Sequence, residues 1–243
     1  MRNEISNLAH YPIRQVRTSS ICPNFKWDTS ISRITLLLLT LTLFCVLTRS
    51  EAWAENFVEV PLLAAIGAND RGVFEVMTMR WDQQVTPDPM HIKWDKGNIN
   101  FRNDYMGAMQ AALQYALRRT PDIRRTGTLR IGGLAYVPTS TDGPSAGGAM
   151  TVAFLAVFRG DAVQRGVALT GTIQSNGQIG PVGKIADKVR AAARERYHTV
   201  LVPQGQLYSS QWNLEKLGLE LNVAVKEVST IDEAYELMTG RKL

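Results

Sequence analysis

Apolar residues recur along the chain with two different spacings, and these predict two kinds of secondary structure. Short apolar or alternating runs indicate strands, whereas apolar residues three to four positions apart indicate helices. Together they predict an α+β (mixed α/β) fold, with one compact domain over residues 55–243. The predicted strands are 58–66, 72–81, 129–137, 167–173, 178–182, 199–202 and 223–228, and the predicted helices are 104–119, 145–157, 185–196, 209–217 and 231–238.

Particular residues support several of these elements. The second strand is indicated by the alternating residues Val73, Glu75, Met77 and Met79. The first helix has Asn103 or Asp104 as its expected N-terminal cap, and its apolar residues are typical of a helix that packs on the core. Turn residues predict loops at Pro87 to Pro89 and at 138–144, and Ser175-Asn176-Gly177 predicts a hairpin.

The first 54 residues have the features of an export signal. The run Ile34 to Leu47 contains 14 mostly apolar residues, follows a basic stretch and precedes Ala52-Trp53-Ala54, a sequence typical of signal-peptidase cleavage after Ala54. Because a helix needs about 20 apolar residues to cross a bilayer, a cleaved signal peptide is favoured over an anchor at 34–47. We expect a periplasmic or secreted protein, with anchoring through an uncleaved leader as the alternative.

The positive charge of the chain is concentrated in this leader, which holds six of the 27 Lys and Arg but only three of the 22 Asp and Glu. The rest of the chain is therefore close to +2, which gives no support for nucleic-acid binding. Both cysteines, Cys22 and Cys45, also lie in the leader. A mature domain without cysteine excludes a disulfide, a thiolate metal site and a cysteine nucleophile.

The segment from Thr141 to Gly148 (TDGPSAGG) carries the strongest chemical signal. Gly143 and Pro144 bend the chain before Ser145, which then opens an apolar helix. A serine in this position projects from a turn at the positive end of a helix, where free N–H groups can stabilise the oxyanion formed in acyl transfer. The same pattern is also typical of a serine that only caps a helix, so local composition leaves both roles open.

Several separated motifs together resemble the Lon proteolytic domain family. Pro144-Ser145-Ala146-Gly147, preceded by Asp142-Gly143, resembles the motif around that family's nucleophile, and Lys188 follows Ser145 by the 43 residues that the family keeps. The resemblance covers residues 129–238 well and extends more weakly back to Val60. The other matching motifs, in order, are Ala168-Leu169-Thr170-Gly171, Gly180-Pro181-Val182-Gly183 and Thr199-Val200-Leu201-Val202-Pro203.

The resemblance implies a serine peptidase of the Ser-Lys type, with Ser145 as nucleophile and Lys188 as its base. A lysine can take the serine proton only when its amine is neutral, and burial favours that form. Lys188 stands among apolar residues, as this requires. The family further implies that Thr170 orients the lysine amine and that Asp142 supports or gates the site. No metal or organic cofactor is implied.

Four residues depart from the family pattern. Lys184 stands one helical turn before Lys188, where the family usually has glycine. It is the rival base, and it either faces water or crowds the site and lowers the pKa of Lys188 by like-charge repulsion. Thr172 replaces a common Glu, and Leu134 and Tyr136 replace a common His-x-His. We expect these changes to affect substrate preference and efficiency.

Other chemistries have less support. Outside the leader only His91 and His198 remain, and neither lies in a triad pattern, which disfavours a Ser-His-Asp mechanism. Two histidines with scattered carboxylates do not form a zinc signature. These 243 residues also contain no Walker-type glycine loop with Gly-Lys-Ser or Gly-Lys-Thr.

The sequence therefore predicts an exported, ATP-independent serine endopeptidase that cleaves unfolded or flexible polypeptides. Because related proteolytic domains often form rings, the resemblance also implies a homo-oligomer. Two alternatives remain open. One is a catalytically silent protein of the same fold that binds or presents peptides, and the other is a cytoplasmic peptidase that works with an ATPase on another chain.

Overall fold

Four strands form the larger sheet of the domain. β1 (Asn56–Ile66) and β2 (Arg71–Asp82) pair antiparallel along their whole length. β5 (Thr128–Ala135) adds antiparallel to β2, and β3 (His91–Trp94) adds parallel to β5, giving the order β1-β2-β5-β3. The computed structural model describes residues 56–66, 71–84 and 88–243, so the predicted leader lies outside the described residues.

A smaller parallel sheet and two strand pairs complete the β-structure. The parallel sheet has the order β11-β10-β7, formed by Ala224–Val228, Thr199–Pro203 and Val167–Leu169. β4 (Ile99–Phe101) pairs parallel with β6 (Thr139–Thr141). β8 (Thr172–Ile173) pairs antiparallel with β9 (Ile179–Gly180).

The helices are α1 (Asn103–Arg119), α2 (Gly147–Arg159), α3 (Ile185–Arg194), α4 (Leu214–Leu221) and α5 (Ile231–Thr239). α2 is the central one, since every residue from Gly147 to Phe158 is buried. It lies against α1 and against β1 and β2, which explains why its sequence is apolar all round. In the described ranges, no helix is both long and apolar enough to cross a membrane.

α3 differs from α2 because only one of its faces is buried. Ile185, Lys188, Val189 and Ala192 face the interior, whereas Arg190 is exposed. The apolar members of this face belong to a second core cluster that also contains Val200 and Val202 of β10. The described residues thus form two apolar clusters, with α2 in the first and α3 in the second.

The predicted α+β class is confirmed, and most predicted elements lie within a few residues of the observed ones. The differences are local. The stretch 209–213 was predicted as helix, but α4 begins only at Leu214 because Asn213 caps it by accepting a hydrogen bond from the Lys216 N–H at 2.8 Å. Three short strands, β3, β4 and β6, were not predicted, and β6 lies in a stretch that was predicted as loop.

Candidate active site

Ser145 lies in a 3₁₀ turn, Pro144–Ala146, directly before the buried helix α2. The turn begins after Gly143, whose φ of 94° is a backbone conformation that side chains with a Cβ rarely adopt. Pro144 then fixes φ at the first position of the turn. The serine is therefore half-buried at the positive end of α2, as the sequence predicted, although it lies in a tighter turn before the helix and not in the helix itself.

The strand that follows α2 leaves its sheet to bind this turn. β7 ends at Leu169, and the Gly171 N–H then donates to the Ser145 carbonyl at 2.8 Å. In return, the Gly148 N–H donates to the Gly171 carbonyl at 2.9 Å. A Cβ at Gly171 would lie 2.3 Å from Ile179 Cγ2, so only glycine fits here. These bonds explain why the strand predicted at 167–173 is interrupted at residues 170 and 171.

Lys188 is buried on the inner face of α3, with 4% of its surface exposed. Its amine Nζ donates a hydrogen bond to Thr170 Oγ1 at 3.2 Å. Burial lowers the pKa of Lys188 from 10.5 to about 8, because the apolar surroundings disfavour the ammonium form. A substantial fraction of this lysine is therefore neutral in mildly alkaline solution.

Thr170 links the lysine to the serine. Its hydroxyl accepts from Lys188 Nζ and donates to the Ser145 carbonyl oxygen at 3.4 Å. Thr170 itself is 1% exposed, so its side chain has a fixed, water-poor environment. The structure thus brings Ser145, Thr170 and Lys188 into one site, although they come from three elements that are far apart in the sequence.

Asp142 connects the site to α1. Its Oδ1 accepts from the N–H groups of Gly143 at 2.9 Å, Asp104 at 3.0 Å and Tyr105 at 3.4 Å. These N–H groups, that of Gly143 first, lower the pKa of Asp142. The residue that flanks α1, Arg102, makes no side-chain cap bond, so the predicted cap at Asn103 or Asp104 is wrong, and the Asp142 carboxylate caps α1 instead.

Lys184 lies at the surface, at the N-terminal boundary of α3. Its φ of 52° and ψ of 37° place it in the left-handed region, which explains why glycine suits this position. The lowered pKa of Lys188 has burial as its cause and not repulsion by Lys184. Of the two roles predicted for Lys184, the structure therefore favours a side chain that faces water.

Comparisons with known proteins find similarity over the part of the chain that carries these residues. Residues 135–239, which include Ser145, Thr170 and Lys188, match the model of the Lon protease (S16) C-terminal proteolytic domain. This part of the chain is similar to a Lon-type proteolytic domain. Its resemblance to that family, first seen in the separated sequence motifs, is confirmed.

Curated relatives of this chain include several proteins described as Lon protease. The match to the Haemophilus influenzae protein is 38% identical over 97 residues, covering 39% of this chain and 12% of the relative. The match to the Lawsonia intracellularis protein is 33% identical over 157 residues, covering 58% and 18%. The match to the Escherichia coli K12 protein is 28% identical over 188 residues, covering 70% and 23%. The chain therefore spans less than a quarter of these relatives.

Sequence reasoning did not find two buried polar residues of the fold, Glu75 and Tyr105. Glu75 is fully buried on β2 and accepts a hydrogen bond from the Thr141 hydroxyl. Burial raises the pKa of Glu75, and the bond from Thr141 opposes that rise. The signal was present in the sequence, since Glu75 stands in the same alternating set as Met77 and Met79, which are both fully buried.

The residues that depart from the family pattern lie at or near the surface. Leu134 is 54% exposed and Tyr136 is 80% exposed, and the Tyr136 hydroxyl donates to Glu195 at 2.6 Å. Thr172 lies in β8, opposite Gly180. His91 and His198 are exposed and lie outside this site. Within residues 56–66, 71–84 and 88–243, no group of three His, Cys, Asp or Glu side chains could hold a metal ion.

Proposed function

We propose that the chain is an exported serine endopeptidase that cleaves unfolded or flexible polypeptides without ATP, with Ser145 as nucleophile and Lys188 as base. The observation that carries this proposal is the environment of the Lys188 amine. It is buried, its pKa is lowered to about 8, and it is hydrogen bonded to Thr170, whose hydroxyl also reaches the Ser145 carbonyl. A catalytic lysine requires such surroundings.

The chemistry depends on the lone pair of a neutral amine. An ammonium group has no lone pair, whereas the neutral amine of Lys188 can donate one N–H to Thr170 and keep its lone pair for the Ser145 hydroxyl proton. Ser145 Oγ then bonds to the peptide carbonyl carbon as its proton moves to Nζ. The ammonium returns that proton to the leaving amine nitrogen as the C–N bond breaks. Water, activated by the same lysine, hydrolyses the acyl-enzyme.

The oxyanion formed in these steps needs donors that are not already engaged. The Gly147 N–H donates to Pro144 and the Gly148 N–H donates to Gly171. In a 3₁₀ turn the first N–H groups have no partner within the turn, and Pro144 has no N–H at all. We therefore assign the oxyanion donors to the Ser145 and Ala146 N–H groups, which also lie at the positive end of α2.

The decisive experiment compares wild type, Ser145→Ala and Lys188→Ala on an unfolded protein substrate without ATP. Lys188→Ala should lose about 10²- to 10⁴-fold in kcat, the usual effect of removing a general base. Ser145→Ala should lose at least as much, because it removes the nucleophile itself. Lys216→Ala, which removes an exposed lysine from α4, is the matched control and should retain activity. A fluorophosphonate probe should label Ser145. Wild-type activity in either the Ser145 or the Lys188 variant would refute the assignment.

A silent peptide-binding protein is the second candidate, and one observation favours it. Leu134, Tyr136 and Val137 expose large apolar surfaces just before the residues that lead to Ser145. Such surfaces are typical of sites that bind apolar segments. A binder would retain unfolded polypeptide in wild type and in Ser145→Ala alike, with no cleavage and no labelling by the fluorophosphonate. A peptidase would show both.

Export rests on the leader, residues 1–54, with its apolar run and its Ala-x-Ala sequence. Compartments outside the cytoplasm lack ATP, which supports an ATP-independent mechanism. N-terminal sequencing of the mature protein tests the proposal, and we expect a start near Glu55. An intact leader in the membrane fraction would indicate anchoring through residues 34–47. An intact leader in the cytoplasm would indicate a peptidase that uses an ATPase on another chain.

We also propose that the domain forms a homo-oligomer, because related proteolytic domains assemble into rings. The proposal concerns copies of this chain and involves no nucleic acid. Light scattering coupled to size-exclusion chromatography of the mature protein would test it. A monomeric mass at micromolar concentration would contradict it.

A further inference from the structure

Glu75 is a buried carboxyl group directly behind the residues that lead to Ser145. It lies on the face of β2 that also carries Met77 and Met79, and all three side chains are 0% exposed. A carboxyl group loses its hydration in such a place, so it needs a hydrogen-bond partner. That partner is the hydroxyl of Thr141, which is itself buried and donates to Oε1 of Glu75.

Glu75 is close enough to a second buried polar group, the Tyr105 hydroxyl, to affect it electrostatically. In the part of the chain that the structure describes, Glu75 Oε2 and Tyr105 Oη are both buried without a hydrogen-bond partner. Burial raises the pKa of Tyr105, and the nearby Glu75 raises it further. Tyr105 is fixed by ring stacking on Phe101, with centroids 4.6 Å apart.

Thr141 begins the segment that we call the nucleophile loop, residues 141–145. Its carbonyl accepts from the Arg102 N–H at 3.0 Å, and the neighbouring Asp142 caps α1. Only three residues separate Thr141 from Ser145. One of them is Gly143, which has a positive φ and no atom within 4 Å of where a Cβ would lie. No packing contact restrains the loop at that position, so the hydrogen bonds at Thr141, Asp142 and Ser145 hold it in place.

We propose that Glu75 is a positioning residue for the proposed peptidase reaction, since its carboxyl group holds Thr141 and thereby keeps Ser145 aligned with Lys188. The inference rests on the proposed function for its catalytic meaning, whereas the anchoring of the loop can be measured without any activity. Glu75 on β2 holds the loop at Thr141, and Asp142 ties the loop to the N-terminus of α1. Neither is assigned contact with the substrate.

Glu75→Leu and Glu75→Gln separate the hydrogen bond from the volume of the side chain. Leu fills similar space but leaves the buried Thr141 hydroxyl without its acceptor, whereas Gln keeps a carbonyl acceptor. We expect Glu75→Leu to lower kcat by about 10- to 100-fold with KM within about twofold, because a small misplacement of the nucleophile slows chemistry more than binding. Glu75→Gln should restore kcat to within about threefold of wild type.

A second pair of variants serves if Glu75→Leu does not fold. Thr141→Val removes the hydroxyl with little change in shape, and Thr141→Ser keeps it. Thr120→Val is the control, because it also removes a buried hydroxyl that makes a hydrogen bond. Thr120 lies just after the C-terminal end of α1, about 25 Å from the first turn of that helix. Only Thr141→Val should lower kcat. If the bond carries the effect, Glu75→Leu combined with Thr141→Val should be no slower than the slower single variant.

Hydrogen exchange of residues 139–148 distinguishes failure of this inference from failure of the proposed function. We expect faster exchange there in Glu75→Leu and Thr141→Val, and wild-type exchange in Glu75→Gln, Thr141→Ser and Thr120→Val. Wild-type kcat and exchange in folded Glu75→Leu or Thr141→Val would overturn the inference and leave the peptidase proposal intact. If wild type itself is inactive and the two variants still exchange faster, the hydrogen bond anchors the loop. That result would reject both the catalytic role of Glu75 and the proposed function.

Discussion

Two buried ionisable groups are linked to the segment around Ser145, and each is hydrogen bonded to one threonine hydroxyl. Lys188 on α3 donates to Thr170, and Glu75 on β2 accepts from Thr141. Burial lowers the pKa of Lys188 to about 8 and raises the pKa of Glu75, so it favours the neutral form of both. The same physical cause makes the lysine a better proton acceptor near neutral pH and makes the glutamate bind its proton more tightly.

The two groups differ in how they reach the serine. Thr170 contacts the Ser145 carbonyl directly, whereas Thr141 acts through the three residues that separate it from Ser145. We therefore expect the lysine side to control whether the proposed reaction occurs, and the glutamate side to control how well the nucleophile is placed. Each of the following substitutions tests one part of this contrast.

The largest effect should come from Lys188→Met, which should abolish activity and stabilise the fold at neutral pH. In the unfolded chain the lysine has its ordinary pKa of 10.5, and in the fold the pKa is about 8. Below pH 8 the amine is charged in both states, and burying that charge destabilises the fold by about 3 kcal/mol, from 1.36 kcal/mol per pKa unit. The Met variant has no such penalty.

Whether stability rises or falls with pH depends on whether the unfolded or the folded protein binds more protons. Between pH 8 and 10.5 the unfolded wild type binds more protons than the folded protein, so wild-type stability rises with pH. The stability advantage of Lys188→Met should therefore be full at pH 7 and nearly absent above pH 10.5. Denaturant unfolding of both proteins at the two pH values measures it. A constant difference would show that the buried amine does not titrate as described.

The next effect concerns Thr170, which joins the lysine to the serine. Thr170→Val should lower kcat by about 10- to 100-fold, because the lysine amine loses the acceptor that orients it. It should also destabilise the fold by about 1–3 kcal/mol, since a buried polar group loses its partner. Thr170→Ser keeps the hydroxyl and serves as the control. If Val and Ser behave alike in kinetics and unfolding, the link through this hydroxyl is unimportant.

The sequence allowed much of this site to be predicted because its parts lie in short, dense motifs. The turn at Gly143 and Pro144 requires particular backbone angles, so its residues are visible in the sequence. Lys188 was recognisable because it follows Ser145 by the separation that the resembled family keeps, and its apolar neighbours on α3 are consistent with burial. Local geometry and periodicity are properties that a single chain segment carries by itself.

The remaining features depend on contacts between distant segments. The cap of α1 comes from Asp142, 38 positions after Asp104, so no local pattern at the helix start could show it. The anchor between Glu75 and Thr141 joins residues 66 positions apart. The short strands β3 and β4 form because β5 and β6 offer them free edges, and their own sequences are too brief to predict pairing.

A smaller effect should follow Glu75→Gln, with a pH dependence opposite to that of the lysine variant. The pKa of Glu75 is raised in the fold, so the folded wild type binds more protons than the unfolded chain as pH rises above 4.5. The stability that Glu75 contributes is therefore fully present below pH 4.5. It is lost as pH rises through the pKa that Glu75 has in the folded protein. Thermal unfolding of Glu75→Gln and wild type should show a difference that shifts in favour of Gln with rising pH.

A flat or reversed trend in that comparison would mean that Glu75 is ionised in the fold. Thr141→Val supplies a cross-check, because the Thr141 hydrogen bond lowers the pKa of Glu75 and its loss should raise that pKa further. In Thr141→Val, the fall in stability with rising pH should therefore extend to higher pH than in wild type. As a comparison, the stability difference between Lys188→Met and wild type should change with pH in the opposite direction to that of Glu75→Gln.

The smallest effect should come from Lys184→Gly, which tests whether the exposed lysine belongs to the site at all. Lys184 has a left-handed backbone conformation that is unfavourable for a residue with a Cβ by about 1–2 kcal/mol and is readily adopted by glycine. The gain is partly offset because glycine loses more entropy on folding, so we expect a net stabilisation of about 0.5–1 kcal/mol. Asn222→Gly, at a second left-handed position, is the control and should gain less, because Asn tolerates this conformation.

Since burial and not Lys184 sets the pKa of Lys188, kcat and its pH profile in Lys184→Gly should remain those of wild type. A large loss of kcat or a shifted pH profile in Lys184→Gly would instead assign this lysine to the chemistry of Lys188.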